Sequence, residues 1–536
     1  MKNRIVITFI CVFFLAGSCL AQGLFPKKSD AGSKLGYAVY AIENLYVDTV
    51  NQNKLVEDAI IALLEKLDPH SEYMTAKEAK DMNEPLQGNF EGIGIQFNMM
   101  KDTLFVIQTI AGGPSERVGL MAGDRIIAVN DSVIAGVNMS NTDIMKRLRG
   151  KKGTIVYVKV LRRGAGDLID FKITRDKIPI YSLDASYMID KKKKIGYIKL
   201  NRFSSTTHDE FKKACKELQA QGMKSLILDL QGNGGGYMNA ATDLANEFLK
   251  EKQLIVYTEG ANQNRQTVNA SGKGIFEKGD LVVLVDEGSA SSSEIVAGAL
   301  QDWDRAVLVG RRTFGKGLVQ RPIPFSDGSM MKLTTARYYT PAGRCIQKPY
   351  SEGEKQYRDD ILIRYKHGEL TNADSIHFAD SLKYNTKVSG RIVYGGGGIM
   401  PDCFVPIDTA RYSDFHRNLI AKGVLNRYTL DYFEKNRDDL KQNYTDFDKF
   451  NTDFSVTDEM MQNLLKAADD EKVKFDEEQY ERSKPLIQLQ IKALITQNLF
   501  SQNEYYRVIN TVNNALNKAI EIIGDSKEYG KLLSGK

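Results

Sequence analysis

Cysteine is scarce in this chain. The 536 residues contain five, and after Cys11 and Cys19 only Cys215, Cys345 and Cys403 remain. Three thiols so widely spread make no disulfide framework, and no Cys-x-x-Cys or Cys/His spacing suggests a metal site. Histidine is equally rare. The five are His70, His208, His367, His377 and His416, and none stands in a glycine-rich turn at the end of a core strand, where a Ser-His-Asp arrangement would need its base. Neither sign of charge dominates: 73 basic residues against 68 acidic ones leave a formal charge of +5. So even a balance implies no polyanion partner, and nucleic acid is not expected. Beyond the first residues, no run approaches the roughly 20 apolar residues of a membrane span.

The N-terminus has what the rest lacks. Lys2 and Arg4 precede an apolar run from Ile5 to about Leu15 and then small residues, the order of a secretory signal peptide. Removal of residues 1–21 after Ala21 is the favoured reading, with a lipid anchor on Cys19 as the alternative. Either way the protein is expected to be exported, to the periplasm or cell envelope.

The length predicts about three to four domains. Residues 30–85 read as helical, with Leu55, Ile60, Leu63, Leu64 and Leu67 on one side and Pro69 as the stop. Residues 86–177 hold short alternating runs (FEGIGIQF, DTLFVIQTI, DRIIAVN, TIVYVKVLR) separated by turns, a small β-rich domain. From residue 178 to 408, strands such as SLILDL and LVVLVD alternate with helical stretches, the signature of an α/β layered domain. Residues 409–536 are polar and helical in period, an appended C-terminal helical domain with surface or assembly roles. The fold class expected is multidomain α/β.

Residues 287–298, EGSASSSEIVAG, place Ser289, Ser291, Ser292 and Ser293 at a helix start. Ser291 with Glu294 fits the S-x-x-E capping box, an ordinary structural role. The alternative is a nucleophile at the carboxyl edge of a strand, where helix-start amides can stabilise an oxyanion. Lys316, between Gly315 and Gly317 after the next strand, is the nearest candidate base, and a Ser-Lys dyad needs no histidine. GRRTFGKG is one residue short of a phosphate loop and continues as strand rather than helix, which argues against nucleotide. In LDLQGNGGGYM, Tyr237 stands where a dinucleotide fingerprint needs its last glycine, although such a turn can present bare amides to a carbonyl oxygen.

Taken together these motifs resemble the carboxyl-terminal processing peptidases, also called tail-specific proteases. The resemblance runs collinearly from about residue 35 to 408: LDPHSEYMT, EGIGIQF with GLMAGDRIIAVND, YIKLNRF, LILDLQGNGGG, GSASSSEIVAGAL, VGRRTFGKGLVQ, TARYYTPAGRCIQ and GGGGIMPDCFVP. It implies a protease core related to the Clp and crotonase superfamily, a PDZ domain, no cofactor, and cleavage of protein substrates near their C-termini. By position it implies Ser291 as nucleophile, Lys316 as general base, Gln320 as the group that orients the lysine, and the amides of Gly236 and Ser292 as the oxyanion hole. Gly92, Ile93, Gly94 and Ile95 correspond to a loop that holds a chain terminus by its amides and pairs with the peptide by β-augmentation. Arg149 is a candidate for a charged regulatory contact between domains, or a solvated turn charge. The turn departs from the family pattern at Gln231 and Gly234, where Arg and Pro are usual. The partners expected are protein C-terminal tails and a homo-oligomer formed through the helical regions. The reading of a different class is a peptide-binding scaffold whose protease domain is silent.

Overall fold

The computed structural model describes residues 30–100 and 102–535. The expected leader, with Cys19, lies outside the described residues. The chain divides into two compact units, one comprising residues up to 75 together with 322–333, the other comprising 76–321 and 334 onward.

In the first unit, helices Asp30–Leu45 and Gln52–Leu64 are followed by the strand Glu72–Met74. That strand pairs antiparallel with residues 330–332, with Tyr73 opposite Met331. The helix expected to run as far as Pro69 is shorter than that. The helix ends at Leu64, and of the leucines placed on one side, Leu64 is 4% exposed whereas Leu63 and Leu67 are each 56% exposed. The cause is local: the Asp68 carboxylate accepts the amides of His70 and Ser71 at 2.8 and 3.0 Å, a turn that competes with helix before proline can act.

The second unit begins with the helix Ala76–Gln87 and a β-rich domain. Its sheet runs in the order Ile95–Met100, Thr103–Thr109, Arg125–Val129, Ile155–Leu161, Ile169–Thr174, all antiparallel, with Ser132–Val133 beside Arg125–Val129. Strand Ile155–Leu161 alternates, with Val156, Val158 and Val160 inside, as expected of a sheet with one wet face. The strands entering and leaving this domain, Asn89–Gly92 and Asp176–Pro179, pair with each other, so the domain hangs on a two-stranded neck.

The α/β layer is a six-stranded sheet in the order Leu183–Asp190, Ile195–Leu200, Ser225–Asp229, Leu281–Val285, Val307–Gly310, Cys403–Phe404. The first pair is antiparallel and the rest are parallel. Because strand side chains alternate between faces, Leu226, Leu228, Leu281 and Val283 pack with Phe211, Leu244 and Val296 of the helices Thr207–Ala220, Met238–Asn246 and Ser292–Asp302. Ile227, Val282, Leu284, Val307 and Val309 point the other way. That face is closed by Ala515, Leu516, Ala519 and Ile522 of the helix Asn514–Ile523, with Tyr529 and Leu532 of Ser526–Ser534.

The polar C-terminal stretch is thus not a uniform appendage. Its helices from Asp414 to Leu499 pack around their own core, with Phe415, Phe433, Phe450, Leu464 and Ile491 buried, whereas the helices Asn514–Ile523 and Ser526–Ser534 cover the six-stranded sheet.

Candidate active site

Strand Leu281–Val285 leads into a tight turn that ends at Ser291, the residue before the helix Ser292–Asp302. Ser291 has φ 55° and ψ −111°, a left-handed backbone that a non-glycine residue adopts only under constraint. Its neighbours supply that constraint. The Ser289 hydroxyl donates to the Leu230 carbonyl at 2.8 Å, that of Ser293 to the Asn233 carbonyl at 2.8 Å, and that of Ser292 to the Gly236 carbonyl at 3.0 Å. These three serines are buried and Ser291 is half-buried. Three of the four hydroxyls therefore tie the serine turn to the turn of residues 230–236.

Glu294 reaches back to the Ser291 amide at 2.8 Å, as the capping box requires. It does more. The same carboxylate accepts the amides of Gly315 at 2.7 Å and Lys316 at 2.9 Å and the hydroxyl of Thr313 at 2.5 Å. Burial pushes this carboxyl up to about 7, against the pull of those donors. On the other side, the Tyr338 hydroxyl lies 2.7 Å from the Lys316 carbonyl and 3.1 Å from the Ser291 carbonyl. Burial holds this phenol well above its ordinary range, so it remains a donor.

The glycines flanking Lys316 are there for room. Gly315 has φ +88°, and a Cβ on it would stand 3.0 Å from the Gly398 amide nitrogen; one on Gly317 would stand 2.8 Å from that of Gln347. Lys316 itself precedes the strand Leu318–Pro324, which carries Gln320, so the two do not share one regular strand. The Gln320 amide nitrogen donates to the Thr334 hydroxyl at 3.3 Å. A second lysine nearby, Lys348, is paired with Asp360 at 3.0 Å and lies over the rings of Phe314 and Tyr357, which identifies it as a packing element of this turn.

The glycine turn is organised by Asn233, which is fully buried. Its carbonyl also accepts the Ala290 amide at 3.0 Å, and its side chain bonds the Leu200 carbonyl at 3.0 Å and the Gly235 amide at 2.9 Å. Gly235, at φ +99°, lies so close that a Cβ would stand 2.9 Å from Cβ of Ser291. Among the hydrogen bonds of the described residues, the Gly235 amide is engaged but those of Gly236 and Ser292 are not. The Ser292 hydroxyl on the Gly236 carbonyl brings these two residues side by side. Of the two departures from the family pattern, Gln231 accepts the Asn513 side-chain amide at 2.9 Å, and at Gly234 a Cβ would meet nothing within 4 Å.

Gly92 ends the neck strand, Ile93 is buried, Gly94 turns at φ +75°, and Ile95 opens the sheet edge strand. The Ile93 carbonyl is held by the amide and hydroxyl of Ser115 at 3.0 and 2.7 Å. Arg149 pairs with Glu84 of the preceding helix at 2.6 Å and lies 4.7 Å over the Phe90 ring, so its charged contact is made at the neck. His208 bonds Glu247 at 2.5 Å and His416 bonds Gln490 at 2.8 Å; neither touches the serine turn. Among the described residues no group of three or more His, Cys, Asp or Glu could hold a metal, and no helix is long and apolar enough to cross a membrane. Tyr338 and Asn233 were not legible as site residues in the sequence, and Glu294 was legible only as a cap.

Comparison with known proteins places these features in a family. The model for peptidase family S41 matches residues 194–353, that for the PDZ domain matches 92–174, and a family of unknown function, DUF8443, matches 415–501. The chain is 34% identical over 391 residues to "Carboxy-terminal processing protease CtpA" of Bacillus subtilis, covering 72% of this chain and 82% of that one. It is 35% identical over 383 residues to "Carboxy-terminal-processing protease" of Bartonella bacilliformis, covering 69% and 87%. Among solved structures, "Photosystem II D1 C-terminal processing protease" shares 30% identity over 59% of this chain and 90% of its own, with a TM-score of 0.34. The chain belongs to the carboxy-terminal processing proteases, serine peptidases of family S41 that carry a PDZ domain.

Proposed function

We propose that this protein is an exported endopeptidase that cleaves protein substrates near their C-termini with a Ser291/Lys316 dyad. The observation that carries this reading is the double tie between the two residues, amides on Glu294 and carbonyls on Tyr338, which fixes both backbones in one frame before substrate arrives. The neutral Lys316 amine takes the Ser291 hydroxyl proton as Oγ attacks the scissile carbonyl carbon. The amides of Gly236 and Ser292 receive the developing oxyanion. Lys316 returns its proton to the leaving amine, then activates the water that releases the acyl group. Gln320 orients the lysine without adding charge.

In the same reading, the PDZ domain holds a substrate C-terminus at Gly92 to Ile95, and the N-terminal leader directs export. Leu35, Tyr37, Tyr40 and Leu45 of the first helix are exposed, which supports a homo-oligomer formed through this region, checked by mass in solution. The deciding experiment incubates the pure protein with an unstructured protein, alone and with C-terminal peptides. Cleavage lost in Ser291→Ala and in Lys316→Ala supports the dyad; inertness of the wild type in every condition favours the silent scaffold instead.

A further inference from the structure

We propose that Asn513, in the C-terminal region beyond the family S41 match, is a positioning residue that holds the oxyanion turn through Gln231. This deepens the reading above and rests on Gly236 as an oxyanion donor. Asn513 is itself fixed: its Oδ1 accepts the Leu516 amide at 3.1 Å as N-cap of the helix Asn514–Ile523, and Ala515, Leu516 and Ala519 of that helix are buried against the sheet. Its Nδ2 donates to Gln231 Oε1 at 2.9 Å.

Gln231 begins the turn. Its amide bonds Asp229 at 2.8 Å and its carbonyl accepts from Lys199 at 3.0 Å. Two residues later Asn233 grips both the Gly235 amide and the serine turn. A shift of Gln231 is thereby carried to Gly236 and Ser291. Gln231 and Asn513, both half-buried, line a cavity of about 920 Å³ that also borders Gly232 and Asp286, so the hydrogen bond stands at the cavity wall. Water can satisfy both amides once it is broken, and the fold survives its loss while the turn's position does not.

The test compares Gln231→Ala, Asn513→Ser, the double variant and Asn513→Asp. Serine keeps a helix cap but is too short to reach Gln231; aspartate keeps the cap and bonds the glutamine amide. Each disruptive single variant is expected to lower kcat on a peptide about fivefold to tenfold, with KM changed by less than about twofold. Binding of a peptide aldehyde, which mimics the tetrahedral intermediate, should weaken by the same factor. The double variant should be no worse than the worse single, and Asn513→Asp should stay within about twofold of wild type. Amide hydrogen exchange over residues 232–237 should rise in both disruptive singles whether or not the protein cleaves. Unchanged kcat, a KM effect alone, losses that multiply in the double variant, or unchanged exchange would each overturn the inference. Raised exchange in a protein whose wild type is inert would uphold the brace and remove only the Ser/Lys reading.

Discussion

Glu294 and Tyr338 hold Ser291 and Lys316 from the two sides of each residue's backbone, the carboxylate taking their amides and the phenol approaching their carbonyls. Tyr338→Phe takes the phenol from the Lys316 carbonyl at 2.7 Å, whereas the Ser291 carbonyl keeps the amides of Glu294 and Ile295, a loss of about 1–3 kcal/mol in this frame. The expected result is a fall in kcat of about tenfold or more with substrate affinity retained, read by steady-state kinetics on a peptide.

Glu294 sets a pH dependence. Its folded carboxyl is raised from 4.5 to about 7 by burial, so between those values the folded protein binds a proton that the unfolded chain has released. Stability therefore falls as pH rises through this window, by at most about 3 kcal/mol, and Glu294→Gln should flatten that slope in denaturant titrations. Activity should run the other way. A protonated Glu294 cannot accept all four donors, so the rate should drop below about pH 7, and this limb should persist in a variant without the five histidines.

Ser291 occupies a backbone conformation suited to glycine. Ser291→Ala should fold and be inactive. Ser291→Gly should be equally inactive but more stable than wild type by about 1 kcal/mol, the relief of backbone strain, measured by chemical denaturation.

Lys316→Arg should be as inactive as Lys316→Ala, because a guanidinium does not take up the serine proton. Gln320→Ala should be impaired less. Turnover of the arginine variant at a tenth of the wild-type rate or better would remove Lys316 as the base.

The PDZ domain is held at its neck by Arg149 on Glu84 and elsewhere by Arg437 on the Ala122 carbonyl at 2.5 Å. The expectation is that a C-terminus bound at Gly92 to Ile95 favours an active over an inactive arrangement of this domain, and it can do so only through its different affinity for the two. A free-carboxylate peptide should stimulate cleavage of a second substrate, and its C-terminal amide should do so much less. Equal stimulation by both, or unchanged regulation after deletion of residues 87–177, would exclude control through the PDZ domain.

The strands and helices around the site were legible because runs such as LVVLV and the helix starts after them are local signals. Ser291 and Lys316 stood out as candidates because linked motifs framed them. Tyr338 and Asn233 were not, since each acts through contacts that only the folded chain creates, and a tyrosine in an alternating strand reads as ordinary packing. The helical reading over residues 55–67 missed an aspartate turn that outranks periodicity. The tail was read as one domain because amphipathic helices look alike in sequence, whichever surface they cover.

The two final helices give the chain a built-in order of events. A nascent polypeptide that has emerged as far as Gln320 already carries the proposed nucleophile and base, yet Ile227, Val282, Leu284, Val307 and Val309 lack most of their cover until residues 515–533 follow. An apolar strip of that size left in water undermines the sheet from which both catalytic turns hang. The proposed proteolytic competence thus waits on residues 515–533, and a copy terminated before them is disarmed.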